Sequence, residues 1–464
     1  MTRSTAPSPS APPPGAPAAE DTGLGHGLKQ RHLSMIALGG VIGAGLFVGS
    51  GSGIAAAGPA VVLAFAASGL LVMLVMRMLG EMSAARPASG SFSVHADREI
   101  GPWAGFAVGW LFWVLLCVGV AVEAIGAAGI VSGWLPAVPS WAWVAVFMAF
   151  FCLTNLAAVR NFGEFEFWFA AVKVLAITAF LVVGVLAVLG LLPGTDSPGA
   201  ANLTGRGGFF PTGAGGLVTG LLASVFAYGG LETVTIAAAE SADPRRSVAV
   251  AVRTAMWRIA LFYVGSMAVI VALVPWDDPA VVRPGPYVAV LDRLGIPGAA
   301  QLMNAVVLIA LLSAMNANVY GSSRMAHSLV ARGHGPRALA RLSGGVPRRA
   351  VLASCAFGFL AVLLSYWWPE TVFSWLLNMV GAAVLVVWAF IAVAQLRMRR
   401  HLTDGQLPVR MWAFPYLTWL ALAAIGAVLV LMTLDSAHRV QLYFTAGLTL
   451  ALAAAGWARS RRAA

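Results

Sequence analysis

Charged residues are scarce in this chain. Aspartate, glutamate, lysine and arginine make up only 10% of its 464 residues, whereas 59% are hydrophobic and the mean hydropathy is +0.84. A soluble domain of this length could not bury so much apolar surface. The composition therefore excludes a water-soluble globular protein and predicts one that lies in a lipid bilayer.

Cysteines and catalytic motifs are scarce too. The three cysteines, Cys117, Cys152 and Cys355, lie in apolar stretches at spacings that fit neither a disulfide framework nor a metal site. The chain has no Walker A, HExxH or GxSxG motif, and its seven histidines are dispersed. These absences argue against nucleotide-driven transport, metal binding and an integral-membrane enzyme, and we expect no cofactor.

Long hydrophobic runs are abundant. Because about 20 apolar residues span the hydrocarbon core, we predict an all-α integral membrane protein with twelve transmembrane helices. The predicted spans are 33–56, 60–84, 104–132, 140–159, 166–193, 214–239, 249–274, 299–329, 350–366, 371–394, 412–433 and 439–457. Residues 1–27 are rich in Pro, Ala and Ser, so we expect a disordered cytoplasmic tail before a transmembrane domain at 28–459.

The net charge of +11 is distributed over separate loops. With twelve spans and a cytoplasmic N-terminus, most basic residues between the spans fall on the cytoplasmic side. The exceptions are Arg206, Arg283, Arg293 and Arg439. This asymmetry predicts a multi-pass protein of the plasma membrane with both termini in the cytoplasm. Because the charges do not gather on one face, we expect no nucleic-acid partner.

The first span is unusually rich in glycine. Residues 36–50 read IALGGVIGAGLFVGS, and five of these fifteen residues are glycine, which costs about 1 kcal/mol relative to alanine inside a helix. Either these glycines let helices pack closely, or the helix unwinds around residues 41–45. Unwound backbone at this depth must line a cavity or be buried in protein. Its free amides suit a carboxylate, and its free carbonyls suit an ammonium.

The sixth span has a matching interruption. Residues 224–234 read SVFAYGGLETV and contain Gly229 and Gly230 in mid-span. Paired breaks in corresponding helices indicate a midplane binding site in a secondary transporter. They predict two inverted five-helix repeats, at about 33–193 and 214–394, and two extra helices at about 412–457. Opposite partial charges at one depth suit a zwitterion, and an amino acid is the simplest such substrate.

Few ionisable groups lie inside the spans, so each is a candidate for function. Lys173 either extends its amine back toward the cytoplasm or faces the bundle interior, where it could exchange a proton or stand in for a bound cation. Glu123 either joins helices as a protonated carboxyl or lines the substrate or proton path. Glu232 either bonds amides freed by the second break or titrates during transport.

Several stretches resemble the amino acid–polyamine–organocation superfamily and, within it, the bacterial amino acid transporter family. The resemblance covers residues 27–459. It is carried by GLKQRHLSMIALGGVIGAGLFVGS, AGPAV, MRMLGEM, GSFS, FGEFEFW, VTIAAAES, WRIALFYVGS, QLRMR and RMWAFPYLTWL. VTIAAAES and RMWAFPYLTWL are typical of the branch of 4-aminobutyrate (GABA) permeases.

The resemblance implies roles for the residues of the first break. The amides of Ala44 and Gly45, with Gly43 beside them, would hold the substrate carboxylate. The carbonyls of Val41 and Ile42 would face its amine. We therefore expect these five residues to bind substrate.

In the sixth helix, Phe226 matches the aromatic lid of the family, and Tyr228, Gly230 and Glu232 follow it in the same pattern. Lys173 matches a lysine that takes the place of a sodium ion in proton-coupled relatives. The resemblance thus implies that Phe226, Tyr228 and Gly230 bind substrate. It implies coupling to protons through Lys173 and Glu232.

Glu123 matches the third-helix glutamate of the family and joins the expected substrate site. One departure is Ala314 in the eighth span, where a GABA permease has a cysteine linked to ligand recognition. This difference argues against GABA itself and leaves the amino acid class unchanged. In the same span Asn316 and Asn318 belong either to the pocket or gate, or to packing hydrogen bonds.

The sequence thus predicts a transporter with a LeuT-like fold, not an enzyme, that imports a small amino acid by proton symport. GABA or a related neutral amino acid is the expected substrate. The alternatives are a permease for proline, aromatic or a broad range of neutral amino acids, and an amino acid exchanger. The expected partners are this substrate and membrane lipid, with H⁺ as the coupling ion and the oligomeric state undetermined.

Overall fold

The computed structural model of the chain describes residue 35 and residues 42–88, 91–157, 159–193, 196–234, 244–343, 345–369, 371–434 and 436–463. The tail predicted at 1–27 lies outside these residues. Two of the five glycines in the first span, Gly39 and Gly40, also lie outside them.

Helices make up most of the described chain. They are α1 Ser50–Ala57, α2 Val61–Ala85, α3 Phe92–Glu99, α4 Pro102–Trp134, α5 Ser140–Ala157, α6 Val159–Val188, α7 Ala201–Thr204, α8 Gly213–Tyr228, α9 Pro244–Arg258, α10 Gly265–Leu273, α11 Pro286–Arg293, α12 Ala299–Ala331, α13 Arg348–Trp367, α14 Val372–Met398, α15 Tyr416–Leu434 and α16 Ser436–Ala463. Short 3₁₀ turns occur at Gly58–Ala60, Pro279–Val281, Arg337–Ala340 and Asp404–Gln406. Within the described residues, β-type pairing is limited to one bridge between Ser343 and Val346.

Nine helical stretches of the described chain are long and apolar enough to cross a membrane. One of them, 45–85, covers the second predicted span and residues 45–56 of the first. Two shorter apolar helices, Ser140–Leu156 and Gly213–Tyr228, lie at the fourth and sixth predicted spans. The prediction of an all-α membrane protein is confirmed, and the count of twelve helices stays a prediction.

Gly58 divides the 45–85 stretch into two helices. Its φ of +62° lies in the left-handed region, which glycine adopts without strain. A Cβ on this residue would also collide with the ring of Pro211. The chain turns at Gly58, and Pro59 then starts the turn that leads into α2. One long hydrophobic run therefore forms two packed helices.

Two segments are π-helical: Gly45–Gly49 directly before α1, and Ile259–Val264 between α9 and α10. A π-helix bonds each amide to the carbonyl five residues back, so it holds more residues per turn than an α-helix. Such segments are often found at functional sites. The first of them lies within the glycine-rich stretch singled out in the sequence.

The long helix α4 lies at the centre of the bundle and packs against α12, α14 and α16. Glycines allow close approach between helices: Gly109 of α4 faces Leu329 of α12, and Gly358 of α13 faces Met148 of α5. On another side of the bundle, α8 packs against α1 and α2. These contacts set the spacing of α4 from α12 and of α8 from α1.

A buried acid ties α2 to the last third of the chain. Glu81 is fully buried, and its carboxylate accepts a hydrogen bond from Gln395 Nε2 at 2.7 Å and another from the Met411 amide. Arg399 Nε lies 3.7 Å from the same carboxylate. Gln395 in turn accepts a bond from the Thr418 hydroxyl at 3.1 Å. This single carboxylate therefore joins α2, α14 and the segment before α15.

We expect Glu81→Ala to lower the free energy of unfolding by roughly 1–3 kcal/mol, because buried donors on Gln395 and Met411 lose their acceptor. The measurement is the melting temperature of the detergent-purified protein. Asp277→Ala is the control, since Asp277 pairs with Arg206 in an exposed ion pair, and such pairs contribute at most about 1 kcal/mol. Equal melting temperatures for the two variants would contradict the stabilising role of the Glu81 carboxylate.

Candidate functional site

The described part of the first span begins with non-helical backbone at Ile42 and Gly43. Helical backbone begins at Ala44 and continues as the π-helical segment Gly45–Gly49, so only part of the unwinding predicted around residues 41–45 is seen. The amides of Leu46 and Phe47 both donate to the Gly43 carbonyl at 3.2 Å, which closes the first turn. Val41, which the resemblance places beside the substrate amine, lies outside the described residues.

The second interruption follows α8. This helix ends at Tyr228, and Gly229 (φ −59°, ψ 142°) leaves the helical conformation. Gly230 has φ +94°, a conformation that glycine adopts without strain, and its amide donates to Glu232 Oε2 at 3.1 Å. Helical backbone resumes at Thr233. The break is therefore a two-glycine turn held by a nearby carboxylate.

A small cavity of about 40 Å³ lies where the two breaks meet. Residues from α4, α8, α12, α14 and both breaks line it. They are Gly45, Leu115, Gly119, Val122, Glu123, Phe226, Ala227, Gly229, Gly230, Asn318 and Val380. Four of the predicted site residues, Gly45, Glu123, Phe226 and Gly230, thus share one cavity.

Tyr228 is placed elsewhere. It is fully buried, its hydroxyl donates to the Phe65 carbonyl at 2.9 Å, and its ring stacks on Tyr263 with 4.7 Å between centroids. Tyr228 is not among the residues that line the cavity. Successive aromatic residues on α8, Phe226 and Tyr228, therefore point in different directions: one to the cavity and one to α2.

Glu123 bonds the freed amide of the first break. The Ala44 amide donates to Glu123 Oε2 at 3.0 Å and to Oε1 at 3.2 Å. This is the amide that the resemblance assigns to the substrate carboxylate. The carboxylate of Glu123 therefore occupies the N-terminus of the half-helix, where the helix dipole favours negative charge.

Lys173 is completely buried and faces the interior of the bundle. Its Nζ donates to the Ile42 carbonyl at 3.3 Å and to Ser313 Oγ at 2.8 Å, and lies 3.8 Å from Glu166 Oε1. Of the two positions considered for this amine, extension toward the cytoplasm is excluded by this geometry. The ammonium instead binds a carbonyl exposed by the first break.

Glu166 is a partner of Lys173 that the sequence does not single out. It is the first residue of the fifth predicted span, yet it is fully buried and accepts a bond from Ser313 Oγ at 2.8 Å. Glu166 and Lys173 are seven residues apart, which is two turns of one helix face. That spacing was the available signal.

Glu232 belongs to the second break. One carboxylate oxygen accepts from the Gly230 amide, and the other accepts from Trp388 Nε1 of α14. Trp388 is also fully buried. Of the two roles predicted for Glu232, bonding a freed amide or titrating during transport, the structure shows the bond to a freed amide.

The two asparagines of α12 have different surroundings. Asn316 Oδ1 accepts from Asn155 Nδ2 at 2.7 Å and so joins α12 to α5, whereas Asn318 lines the cavity. Ala314 lies beside the first break, since a Cβ on Gly43 would stand 2.7 Å from its Cβ. Among the described residues, no group of three or more His, Cys, Asp or Glu side chains is placed to hold a metal ion.

Comparison with known proteins decides the family. The amino acid permease family profile matches residues 32–463. The chain belongs to the amino acid permease family. This permease is therefore an amino acid transporter and a multi-pass membrane protein, not an enzyme.

Three relatives cover nearly the whole chain. The permease is 46% identical over 432 residues to the gamma-aminobutyric acid permease of Bacillus subtilis (92% of each chain). It is 46% identical over 450 residues to the probable GABA permease of Pseudomonas aeruginosa (96% of this chain, 95% of the relative). It is also 47% identical over 435 residues to the aromatic amino acid transport protein AroP of Corynebacterium glutamicum (92% and 94%).

A solved structure shares the fold. The permease superposes on the crystal structure of a manganese transporter mutant from Eremococcus coleocola with a TM-score of 0.57. The match covers 96% of this chain and 97% of that one at 15% identity. The likeness confirms the predicted LeuT-like fold.

We expect Gly45→Ala to weaken substrate binding at least tenfold. The new Cβ would stand 2.6 Å from Ala227 Cα and 3.1 Å from Phe226 Cε1, so the two broken helices must move apart. Binding is measured by scintillation proximity with labelled substrate. Gly49→Ala is the matched control, because its Cβ would meet its nearest atoms at 3.5 Å, an ordinary contact. Equal affinities for both variants would show that the site does not depend on this close approach.

Proposed function

We propose that this permease imports a small neutral amino acid by proton symport. The observation that carries the proposal is the bond from the buried Lys173 amine to the Ile42 carbonyl at the first helix break. It puts a titratable cation directly on the backbone that would hold the substrate. Proton binding and substrate binding then act on one structural element.

The substrate would lie between the two breaks. Its carboxylate suits the amides of Ala44 and Gly45, because the N-terminus of a half-helix favours an anion. The ammonium of an α-amino acid, which lies close to the carboxylate, suits the carbonyls of Val41 and Ile42 and the carboxylate of Glu123. Glu123 already holds the Ala44 amide, so the substrate carboxylate must displace it or share that amide. The half-buried ring of Phe226 is placed to cover the ligand as a lid.

Two relatives are named for GABA and one for aromatic amino acids. We propose GABA or a related neutral amino acid as the substrate. Aromatic, proline or broad neutral transport is the second candidate, since the AroP relative is as similar to this chain as the GABA permeases are. Net exchange of amino acids is the third.

Protons would act through Lys173. In its charged form, Lys173 makes a charge-assisted bond to Ile42 and balances Glu166, with Ser313 bonded to both side chains. Loss of the proton removes that charge and weakens the hold on the first break. The broken helix is then free to change position relative to α6 and α12. Glu232 has a different role in this scheme, since its bonds to Gly230 and Trp388 hold the second break.

The orientation in the membrane follows from the charge distribution. Basic residues concentrate on the loops that a cytoplasmic N-terminus would place inside. We propose a plasma-membrane location with both termini in the cytoplasm and with lipid covering the many exposed apolar side chains of the outer helices.

The proposed function is tested by uptake into proteoliposomes with an imposed pH gradient, acid outside. We expect accumulation of labelled GABA or another small neutral amino acid, up to about tenfold per pH unit for one proton. The control is the same vesicles with a protonophore. Uptake that follows a sodium gradient and ignores pH would refute proton symport, and uptake that requires an internal amino acid would identify an exchanger.

We expect Lys173→Ala to abolish accumulation driven by the pH gradient while exchange of internal for external substrate continues. The reason is that the variant retains the cavity but loses the titratable cation on the Ile42 carbonyl. Both quantities are measured in the same vesicles, so a misfolded protein is recognised by the loss of both. Normal accumulation by this variant would show that Lys173 serves only the structure.

A further inference from the structure

The polar side chains of the cavity are unevenly placed. Among the described residues that line it, only Glu123 and Asn318 carry a hydrogen-bonding or charged side chain. The walls between them are apolar and include Leu115, Val122 and Phe226. A substrate in this cavity therefore meets a polar side chain at two separate positions.

The positions of these two residues follow from helix register. Gly119 and Glu123 are four residues apart on α4, so they lie on one face about 6 Å from each other along the axis. The Asn318 amide packs directly on Gly119, where a Cβ would stand 2.8 Å from Nδ2. Asn318 is therefore about one helical turn from the carboxylate of Glu123.

On the neighbouring helix α12, two residues four positions apart also lie on one face. Ala314 lies against Gly43 of the first break, and Asn318 follows four residues later on the same face of α12. One turn beyond Gly119 and Asn318, a Cβ on Gly321 would meet Leu116 and Thr233 at 3.4 Å. Beyond Asn318, α12 is therefore in direct contact with α4. Among the described lining residues, the Asn318 amide is the last polar side chain at that end of the cavity.

The Asn318 amide has unused hydrogen-bonding capacity. Within the part of the chain that the structure describes, neither backbone nor side chain bonds it, although Asn316 two residues earlier is bonded to Asn155. A primary amide offers two donors and one acceptor oxygen, so it can pair with an ammonium, an amide or a hydroxyl. At the edge of an apolar cavity such a group favours a ligand that supplies the missing partner.

We infer that Asn318 is a specificity-determining residue: its amide binds a second polar group of the substrate, about one helical turn from the site of the carboxylate. The chemical class so selected is amino acids with a polar group beyond the β-carbon, of which ω-amino acids are the simplest. Aliphatic and aromatic α-amino acids leave the amide unpaired. This inference rests on the proposed function, since it assumes that the carboxylate binds at the first break.

The test compares two isomers in wild type and Asn318→Leu. 4-Aminobutyrate carries its amine three methylene groups from the carboxylate, whereas L-2-aminobutyrate carries it on the α-carbon. We expect the substitution to weaken binding of 4-aminobutyrate about tenfold relative to binding of L-2-aminobutyrate, since one hydrogen bond to a charged group is lost. Inhibition constants come from competition for one labelled amino acid that both proteins bind.

A second variant and a matched control keep the test independent of folding. Gly119→Ala retains the Asn318 side chain but puts a methyl group 2.8 Å from its Nδ2, so the amide must shift, and we expect the same direction of change in the isomer ratio. Asn316→Leu removes an asparagine from the same helix that does not line the cavity, so we expect an unchanged isomer ratio.

The outcomes are distinguishable. If Asn318→Leu and Gly119→Ala show the same ratio of inhibition constants for the two isomers as wild type, Asn318 does not determine specificity, even though the proposed function stands. If neither isomer, nor any other amino acid, competes in the wild-type protein, the site at the first break is itself wrong. A change in ratio for Asn316→Leu equal to that for Asn318→Leu also overturns the inference.

Discussion

Backbone groups left without helix partners inside a membrane must be bonded by something else, and in this permease a few buried side chains do so. Lys173 donates to the Ile42 carbonyl, and Glu123 accepts from the Ala44 amide. Glu232 accepts from the Gly230 amide. Lys173 and Glu123 come from other helices, and Glu232, two residues from Gly230, is itself bonded by Trp388 of α14. The breaks therefore persist only while the bundle around them is assembled. The cavity, its polarity and the proposed coupling all depend on these bonds.

Much of this arrangement could be predicted from the sequence because breaks in membrane helices have a local cause. Glycines in an apolar run identify both interruptions, and the rarity of lysine singles out Lys173. The helical class follows from hydropathy alone. Of the residues expected at the first break, Ile42 and Gly43 are non-helical, Ala44 and Gly45 are helical, and Val41 is outside the described residues.

The remaining contacts depend on how distant helices meet, which a single sequence does not contain. Glu166 lies at the end of a span, and only the packing of α6 against α12 shows it to be a partner of Lys173. Trp388 is one of many tryptophans until it bonds Glu232. Asn316 and Asn318 look equivalent in sequence, yet one joins α5 and the other lines the cavity. Side-chain direction on a helix decides each of these cases.

The π-helical turn at Gly45–Gly49 has a consequence for how the first break could rearrange. An α-helix advances about 100° per residue, so tightening this turn to α-helix removes one residue from it and swivels the preceding backbone by about that angle. Ile42 precedes the turn, and its carbonyl would swing away from α6. A register shift of one residue in this turn would therefore break the bond between Lys173 and Ile42 without any large displacement of α1 itself.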